Sequence, residues 1–269
     1  MSYAPMFEMW RRVEDDVAYD IVLDLGHTEH FPLSDHPWFF GVRIPMATKT
    51  EDGLPTDEEA VRLNHVENRV REIVRGRDGQ YVGRRTGGMN RDLVFYLPER
   101  PRGVEDRIRA SVGMEILFVV REDKRWQAYE SMLPVPREWR QIEDRRSIQA
   151  LLNADADPGL THRIEHRVRT SSKKGAEALV KLYEKLELDE PTITGEPREL
   201  VVAGVQLAPL QVDLIHRVSW ILESKSEKAK GVYLGWTANP ELSGDEPADL
   251  TDPEAELLAI LESLSTGNS

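Results

Sequence analysis

The sequence predicts an α+β protein of two domains, each an antiparallel sheet with helices on one face. Three observations carry this. The order strand–helix–strand–strand–helix–strand occurs twice, over residues 38–120 and again over 162–237, and that order suits a ferredoxin-like sandwich. A stretch of linker composition, residues 153–161 (NADADPGLT), separates the two runs. The 269 residues are also enough for two domains of ordinary size. The repetition is one of architecture, without sequence self-similarity. The expected divisions are 1–153, 160–240 and an acidic tail, 241–269.

In the first domain, residues 6–13 (MFEMWRRV) and 17–25 (VAYDIVLDL) read as strands around the acidic turn Glu14-Asp15-Asp16. A loop rich in His, Asp and Pro follows over 27–37. Residues 38–45 (WFFGVRIP) form a third strand. Thr56 is placed to N-cap a helix, with Glu59 three residues later completing a capping box. That helix runs to about Val74, because Ala60, Leu63, Val66, Val70 and Ile73 recur at steps of three and four and make one buried stripe. Residues 76–79 end it. Strands at 81–85 and 93–97 are joined by a turn over 86–90. A short helix over 104–112 lies between Gly103 and Gly113. Residues 115–120 (EILFVV) are apolar on both faces towards their end, so this strand is expected to be central. Residues 125–133 and 137–152 read as helices separated by the proline break at 134–136.

In the second domain, residues 162–170 alternate as a strand does, with Ile164, His166 and Val168 on one face and Arg163, Glu165, Arg167 and Arg169 on the other. A helix over 172–186 carries Ala176, Leu179, Val180, Tyr183 and Leu186 on one side. Residues 191–194 are extended and 199–207 form a strand. A helix over 209–224 begins with a proline in its first turn and aligns Leu210, Leu214, Val218 and Ile221. Residues 231–237 (GVYLGWT) form the last strand. In the tail, Leu257, Leu258, Leu261 and Leu264 would share one face of a helix starting near Asp252, able to dock on its own domain or on a partner.

Composition excludes several function classes. With 40% hydrophobic and 31% charged residues the chain is globular. The absence of cysteine removes disulfides, thiolate zinc sites, iron–sulfur clusters and a cysteine nucleophile. No apolar run approaches the roughly 18 residues of a membrane helix. Residues 1–10 lack the basic and apolar segments of a signal peptide, so a cytoplasmic location without membrane partners is expected. Net charge is −13, with eight acids and no base over 241–269, and eight acids against two bases over 1–36. Such a field repels phosphates, which disfavours direct nucleic-acid binding, and attracts a basic protein segment.

Two stretches resemble known families. Residues 1–152 resemble the domain of unknown function 695 family, through the Gly53-Leu54-Pro55 turn leading to Glu58-Glu59, Asn64 and Glu67 on the helix, Val82-Gly83-Arg84, the strand ending at Tyr96, and Asp123, Trp126, Tyr129, Leu133 and Pro134. That resemblance implies no established activity. Residues 160–240 are similar to the regulator of ribonuclease E activity B family, through Arg163, Glu165 and His166 and the closing Gly231-Val232-Tyr233-Leu234-Gly235-Trp236. This second resemblance implies a ferredoxin-like fold, binding to the non-catalytic region of an endoribonuclease, and His166, Tyr233 and Trp236 as partner-binding positions. The residue pattern itself reads His166 as a partly buried, hydrogen-bonded histidine.

Other candidates come from the residues alone. His27, His30 and His36, with Asp24, Glu29 and Asp35, are weak candidates for a metal site in one loop. Arg71, Arg75, Arg84, Arg85 and Arg91 make a local basic concentration to which Tyr81 and Tyr96 add stacking surface. Arg84 and Arg85 are candidates for RNA contact, although the RNA-recognition signature is absent, and the other reading pairs Arg84 and Arg91 with nearby acids. Trp126 and Tyr129 are expected to plug the first domain's core or its junction with the second, the alternative being an aromatic anchor on a partner surface. Gly87-Gly88 reads as a hairpin turn rather than a phosphate loop, and no serine sits in a nucleophile elbow. No cofactor is implied. The function expected is a non-enzymatic, protein-binding regulator, with an endoribonuclease or its scaffold as the partner the resemblance names. The alternatives are a metal-dependent hydrolase using the 27–36 loop, and a small-ligand or RNA-binding module on the first sheet.

Overall fold

In the computed structural model, the structure describes residues 4–238. The expected tail helix lies outside the described residues. Both units are α+β, each with an antiparallel sheet. The chain separates into two compact units, 1–138 and 139 onward. The division falls in the first turn of a helix that the sequence assigned to the first domain, rather than in the 153–161 stretch.

The first unit contains β1 (Phe7–Glu14), β2 (Val17–Asp24), β3 (Trp38–Pro45), α1 (Asp57–Arg75), β4 (Gln80–Gly87), β5 (Asn90–Leu97), α2 (Val104–Val112), β6 (Leu117–Glu122) and the one-turn α3 (Gln127–Glu130). Its sheet runs β1-β2-β4-β5-β3-β6, antiparallel at each pairing. The β4-β5-β3-β6 portion with α1 and α2 has the ferredoxin-like order, and the β1–β2 hairpin extends it. Phe40, Val42 and Ile44 of β3, Leu93, Phe95 and Leu97 of β5, and Leu63, Val66 and Val70 of α1 form the core between helices and sheet.

Three local expectations are corrected. The strand expected to be central, β6, is an edge: it pairs only with β3, and its Leu117 and Val119 are 55% and 53% exposed while Phe118 and Val120 pack on the core. A continuous apolar run hides the alternation that would have marked it as half-buried. The helix expected over 125–133 shrinks to α3, because the Asp123 carboxylate takes the Gln127 and Ala128 amides at 2.9 and 3.1 Å and sets a tight turn before Pro134. The capping box is half formed. Thr56 Oγ1 accepts from the Glu59 amide at 3.4 Å, but the Glu59 carboxylate turns instead to the Ala47 amide and the Arg62 guanidinium. The Arg62 bond holds the Glu59 carboxyl below the usual carboxylate range.

The second unit contains most of α4 (Pro136–Leu152), then β7 (His162–Thr170), α5 (Lys173–Lys185), β8 (Asp189–Glu196), β9 (Glu199–Ala208), α6 (Val212–Ser226) and β10 (Gly231–Ala238). The sheet order β10-β7-β9-β8, antiparallel throughout, is again ferredoxin-like. Val168 and Val202 from the sheet, Ala176, Leu179 and Tyr183 from α5, and Val218 and Leu222 from α6 fill the core. Helix α6 starts at Val212, later than expected, because Gln211 is still extended. No helix among the described residues is long and apolar enough to cross a membrane.

Candidate functional site

In the first unit, polar residues converge on Glu67, a helix residue only 2% exposed. Its carboxylate accepts from Tyr81 Oη at 2.8 Å, Arg84 Nη1 at 2.9 Å and Arg91 Nη1 at 3.1 Å, with Arg71 Nη1 at 3.9 Å. Arg91 is itself buried and also donates to Asn64 Oδ1 and Thr86 Oγ1. Burial pulls the Arg91 guanidinium below its ordinary value, with Arg84 adding to the effect and Glu67 opposing it. Burial, then Glu67, pushes the Tyr81 hydroxyl well up, so it serves only as a neutral donor.

A β-bulge makes this convergence possible. Tyr81 pairs with Phe95 but Gly83 pairs with Val94, so Val82 is an extra residue. Side chains three apart on a regular strand point to opposite faces. The bulge brings Tyr81 and Arg84 to the same face, where both reach Glu67. A side chain at Gly83 would meet Val22 O at 2.4 Å, so the close pairing of β2 with β4 requires glycine there.

Beside this network lies a concavity of about 360 Å³. Phe7 and Tyr81 line it and stack on each other, with centroids 5.7 Å apart. Arg71 and Arg75 of α1 also line it, and the Arg71 guanidinium lies 4.3 Å over the Tyr81 ring. Asp24, His36, Asp78 and Gln80 add polar groups to the lining.

The aromatic residues at 123–129 build a second buried network. Trp126 stacks on Tyr96 at 4.0 Å and donates from Nε1 to His36 O. Tyr96 Oη donates to Asp123 Oδ2, and Tyr129 Oη donates to Asp24 O. Burial would raise the Asp123 carboxyl, yet the Ala128 and Gln127 amides and the Tyr96 hydroxyl together hold it below the usual range.

In the second unit the buried hub is Asp144 of α4, which is 0% exposed. It accepts from Trp236 Nε1 at 2.9 Å and Ser219 Oγ at 2.5 Å, and lies 3.1 Å from His216 Nδ1. Ser, His and Asp are the residue types of a hydrolase triad. Here, however, serine bonds the aspartate rather than the histidine, and all three are buried, so the nucleophile–base contact that the chemistry needs is missing. This cluster fastens α4 to α6 and β10.

His166 lies beside it. Its Nδ1 is 2.7 Å from Tyr233 Oη and its Nε2 is 3.0 Å from Gln206 Oε1. Gln206 Nε2 donates to Leu214 O, which turns the amide oxygen towards the histidine. The ring is therefore a neutral Nε2–H imidazole that accepts from tyrosine. Burial pushes its pKa down to about 4. The unfolded chain then binds the extra proton below about pH 6.5, so stability is full above that pH and is lost as pH falls towards 4. The loss expected is about 3 kcal/mol. An NMR titration should find His166 still neutral at about pH 5.5; a midpoint near 6.5, as for an exposed histidine, would contradict this environment.

The sequence-predicted residues are placed as follows. His166, Tyr233 and Trp236, at 0%, 7% and 9% exposure, all face the interior. A second bulge aligns them: the register slips between Tyr233 and Gly235, with Gly235 at φ +94°, so Tyr233 and Trp236 turn to the same face. A partner surface on this unit must be formed by other side chains. Arg84 and Arg85 are neighbours on a strand and are not brought together. Arg84 is taken by Glu67, while Arg85 bonds Glu14 Oε2 at 2.7 Å and lies 3.5 Å over the Tyr19 ring. His27 is buried edge-on against Trp126 and Tyr129, and burial lowers its pKa. His30 is exposed, and His36 is bonded to Asp35 Oδ1 and Asp78 O. Among the described residues no group of three or more His, Asp or Glu side chains is placed to hold a metal ion. The loop does not gather the ligand set that the hydrolase alternative needs.

Arg84 and Arg91 pair with an acid, Glu67, as the sequence reading expects. Sequence reasoning missed Asn64 as a partner of Arg91, Asp144 and the concavity. For the bulges, the available signal is the pattern Tyr–aliphatic–Gly–large, present as Tyr81-Val82-Gly83-Arg84 and as Tyr233-Leu234-Gly235-Trp236.

Comparison with known proteins adds the following. The crystal structure of an unknown protein from Galdieria sulphuraria is similar at 10% identity over 76% of this chain and 98% of its own, with a TM-score of 0.23. No curated protein matches the chain. Residues 8–133 match the Family of unknown function (DUF695), in keeping with the resemblance of the N-terminal half.

Proposed function

We propose that this protein is a non-enzymatic regulator that acts by binding another protein through its second unit. The observation that supports this reading is the side of the second sheet opposite its core. There Leu207 and Val232 are 53% and 57% exposed. They sit in register with Arg163 and Arg169 of β7, and Arg167 lies between those two. Each arginine is matched by a glutamate: Arg163 with Glu190, Arg167 with Glu165, and Arg169 with Glu199. An apolar surface interleaved with planar guanidiniums suits protein contact, and the paired glutamates count against a phosphate backbone. Ser219 and His216, by contrast, are buried and both held on the Asp144 carboxylate.

The finer reading, modulation of an endoribonuclease or RNA-decay complex, rests on the resemblance carried by Arg163, Glu165, His166 and the 231–236 segment. The acidic segments 1–36 and 241–269 would steer a basic scaffold towards the protein. Mixing the purified full chain with the non-catalytic region of a ribonuclease E-type enzyme should give a complex by sedimentation at low salt that weakens as salt rises. No complex at low salt would remove the ribonuclease reading.

A further inference from the structure

We propose that the concavity beside the C-terminal end of α1 binds a nucleoside monophosphate-like ligand, a phosphomonoester joined to a planar heteroaromatic ring. The inference concerns the first unit and does not rest on the protein-binding role of the second.

The argument begins with size. About 360 Å³ lies within the range of small-molecule sites and suits a mononucleotide. Charge comes next. Arg71 and Arg75 are four residues apart and so share one helix face. Arg75 forms no ion pair among the described residues. Arg71 reaches Glu67 only at 3.9 Å, and Arg84 and Arg91 already hold that carboxylate at 2.9 and 3.1 Å. Three guanidiniums around one buried carboxylate leave a positive excess behind the Tyr81 wall, and the free fork of Arg75 fits phosphate. The C-terminal turn of α1 presents carbonyl dipoles, which repel anions. The two arginines must therefore hold the phosphate.

The rest of the lining selects the remainder of the ligand. Phe7 is 40% exposed and, with one face on Tyr81, offers the rest of its ring surface for stacking. Asp24 and Asp78 also line the cavity, and they would repel inorganic phosphate. A ligand with ring N–H donors can meet the Asp78 carboxylate while its phosphate meets the arginines, and the Gln80 amide can pair with either kind of group.

Calorimetric titration of the full chain with AMP, GMP, CMP and UMP tests this, with ribose 5-phosphate and inorganic phosphate as ringless controls. At least one nucleotide should saturate a single site, and the controls should bind at least about tenfold more weakly. Arg75→Ala should weaken nucleotide binding roughly tenfold, about 1.4 kcal/mol, with little change in thermal stability, since Arg75 is exposed at the end of α1. Phe7→Ala should weaken the nucleotide and leave the controls unchanged. The proposal is overturned by no saturation with any nucleotide at about 1 mM, by inorganic phosphate binding as well as the nucleotides, or by unchanged affinity in Arg75→Ala.

Discussion

Asp144→Ala is expected to destabilise the second unit by about 3–5 kcal/mol, the cost of breaking a buried polar cluster on one side. The carboxylate is fully buried and takes Trp236 Nε1, Ser219 Oγ and the His216 ring. Its removal leaves three polar groups from α6 and β10 facing a void, and each unsatisfied group adds about 1–3 kcal/mol. Asp144→Asn should cost less, because the amide keeps the shape and can still accept at one atom. Trp236→Phe should cost less again, since it removes one donor and leaves the acceptor two others. Urea unfolding of the full chain, followed by a probe in the second unit, measures the series. A loss below about 1 kcal/mol for Asp144→Ala would show that the cluster does not fasten α4 to the sheet.

Glu67→Ala should have an effect of similar size in the first unit, about 3–5 kcal/mol. Arg91, at 4% exposure, would keep Asn64 and Thr86 but lose the carboxylate it is ion-paired with. Arg84 is better able to turn to water, because its side chain is 26% exposed. Glu67→Gln should fall between wild type and Glu67→Ala, since it keeps an acceptor for Tyr81 while losing the charge that Arg91 needs. Tyr81→Phe should cost about 1 kcal/mol, one hydrogen bond. Chemical denaturation checks the order. A Gln variant as stable as wild type would mean that charge at residue 67 is immaterial, and equal losses for Gln and Ala would mean that the acceptor Gln keeps for Tyr81 contributes nothing.

The fold was largely legible because its local signals agree. Residues 38–45 and 104–112 coincide with β3 and α2. Gly103 and Gly113, at φ +69° and +64°, bracket α2 in a conformation that favours glycine. Ile164, His166 and Val168 alternate with charged residues in β7, and that alternation survives as buried against exposed. What was hidden depends on distant contacts. Asp144 sits in the charged run Glu143-Asp144-Arg145-Arg146, which reads as a solvated helix face; its partners lie 72, 75 and 92 residues away. The two bulges shift parity by one residue, so an alternation count assigns Tyr81 and Arg84, or Tyr233 and Trp236, to opposite faces.

The residues that carry the N-terminal resemblance gather into two networks. Asn64, Glu67 and Arg84 meet around Arg91, while Tyr96, Asp123, Trp126 and Tyr129 meet under α3. Their spacing in sequence showed that they belong together without showing with whom. Arg71, Arg75 and Tyr81 group by charge and ring type in the sequence, but the concavity itself was not legible, because Phe7, Arg75 and Tyr81 come from three separate elements.

The central claim is that the open face of the second sheet binds a protein. The most direct test is a nuclease-treated pull-down from the native extract, comparing the full chain with a Leu207→Asp, Val232→Asp variant and read by mass spectrometry. Both positions are exposed, so the variant should fold. The account predicts that the wild-type chain recovers an endoribonuclease or its scaffold and that the variant does not. Recovery of the same protein by both, or of no protein by the wild-type chain, would contradict it.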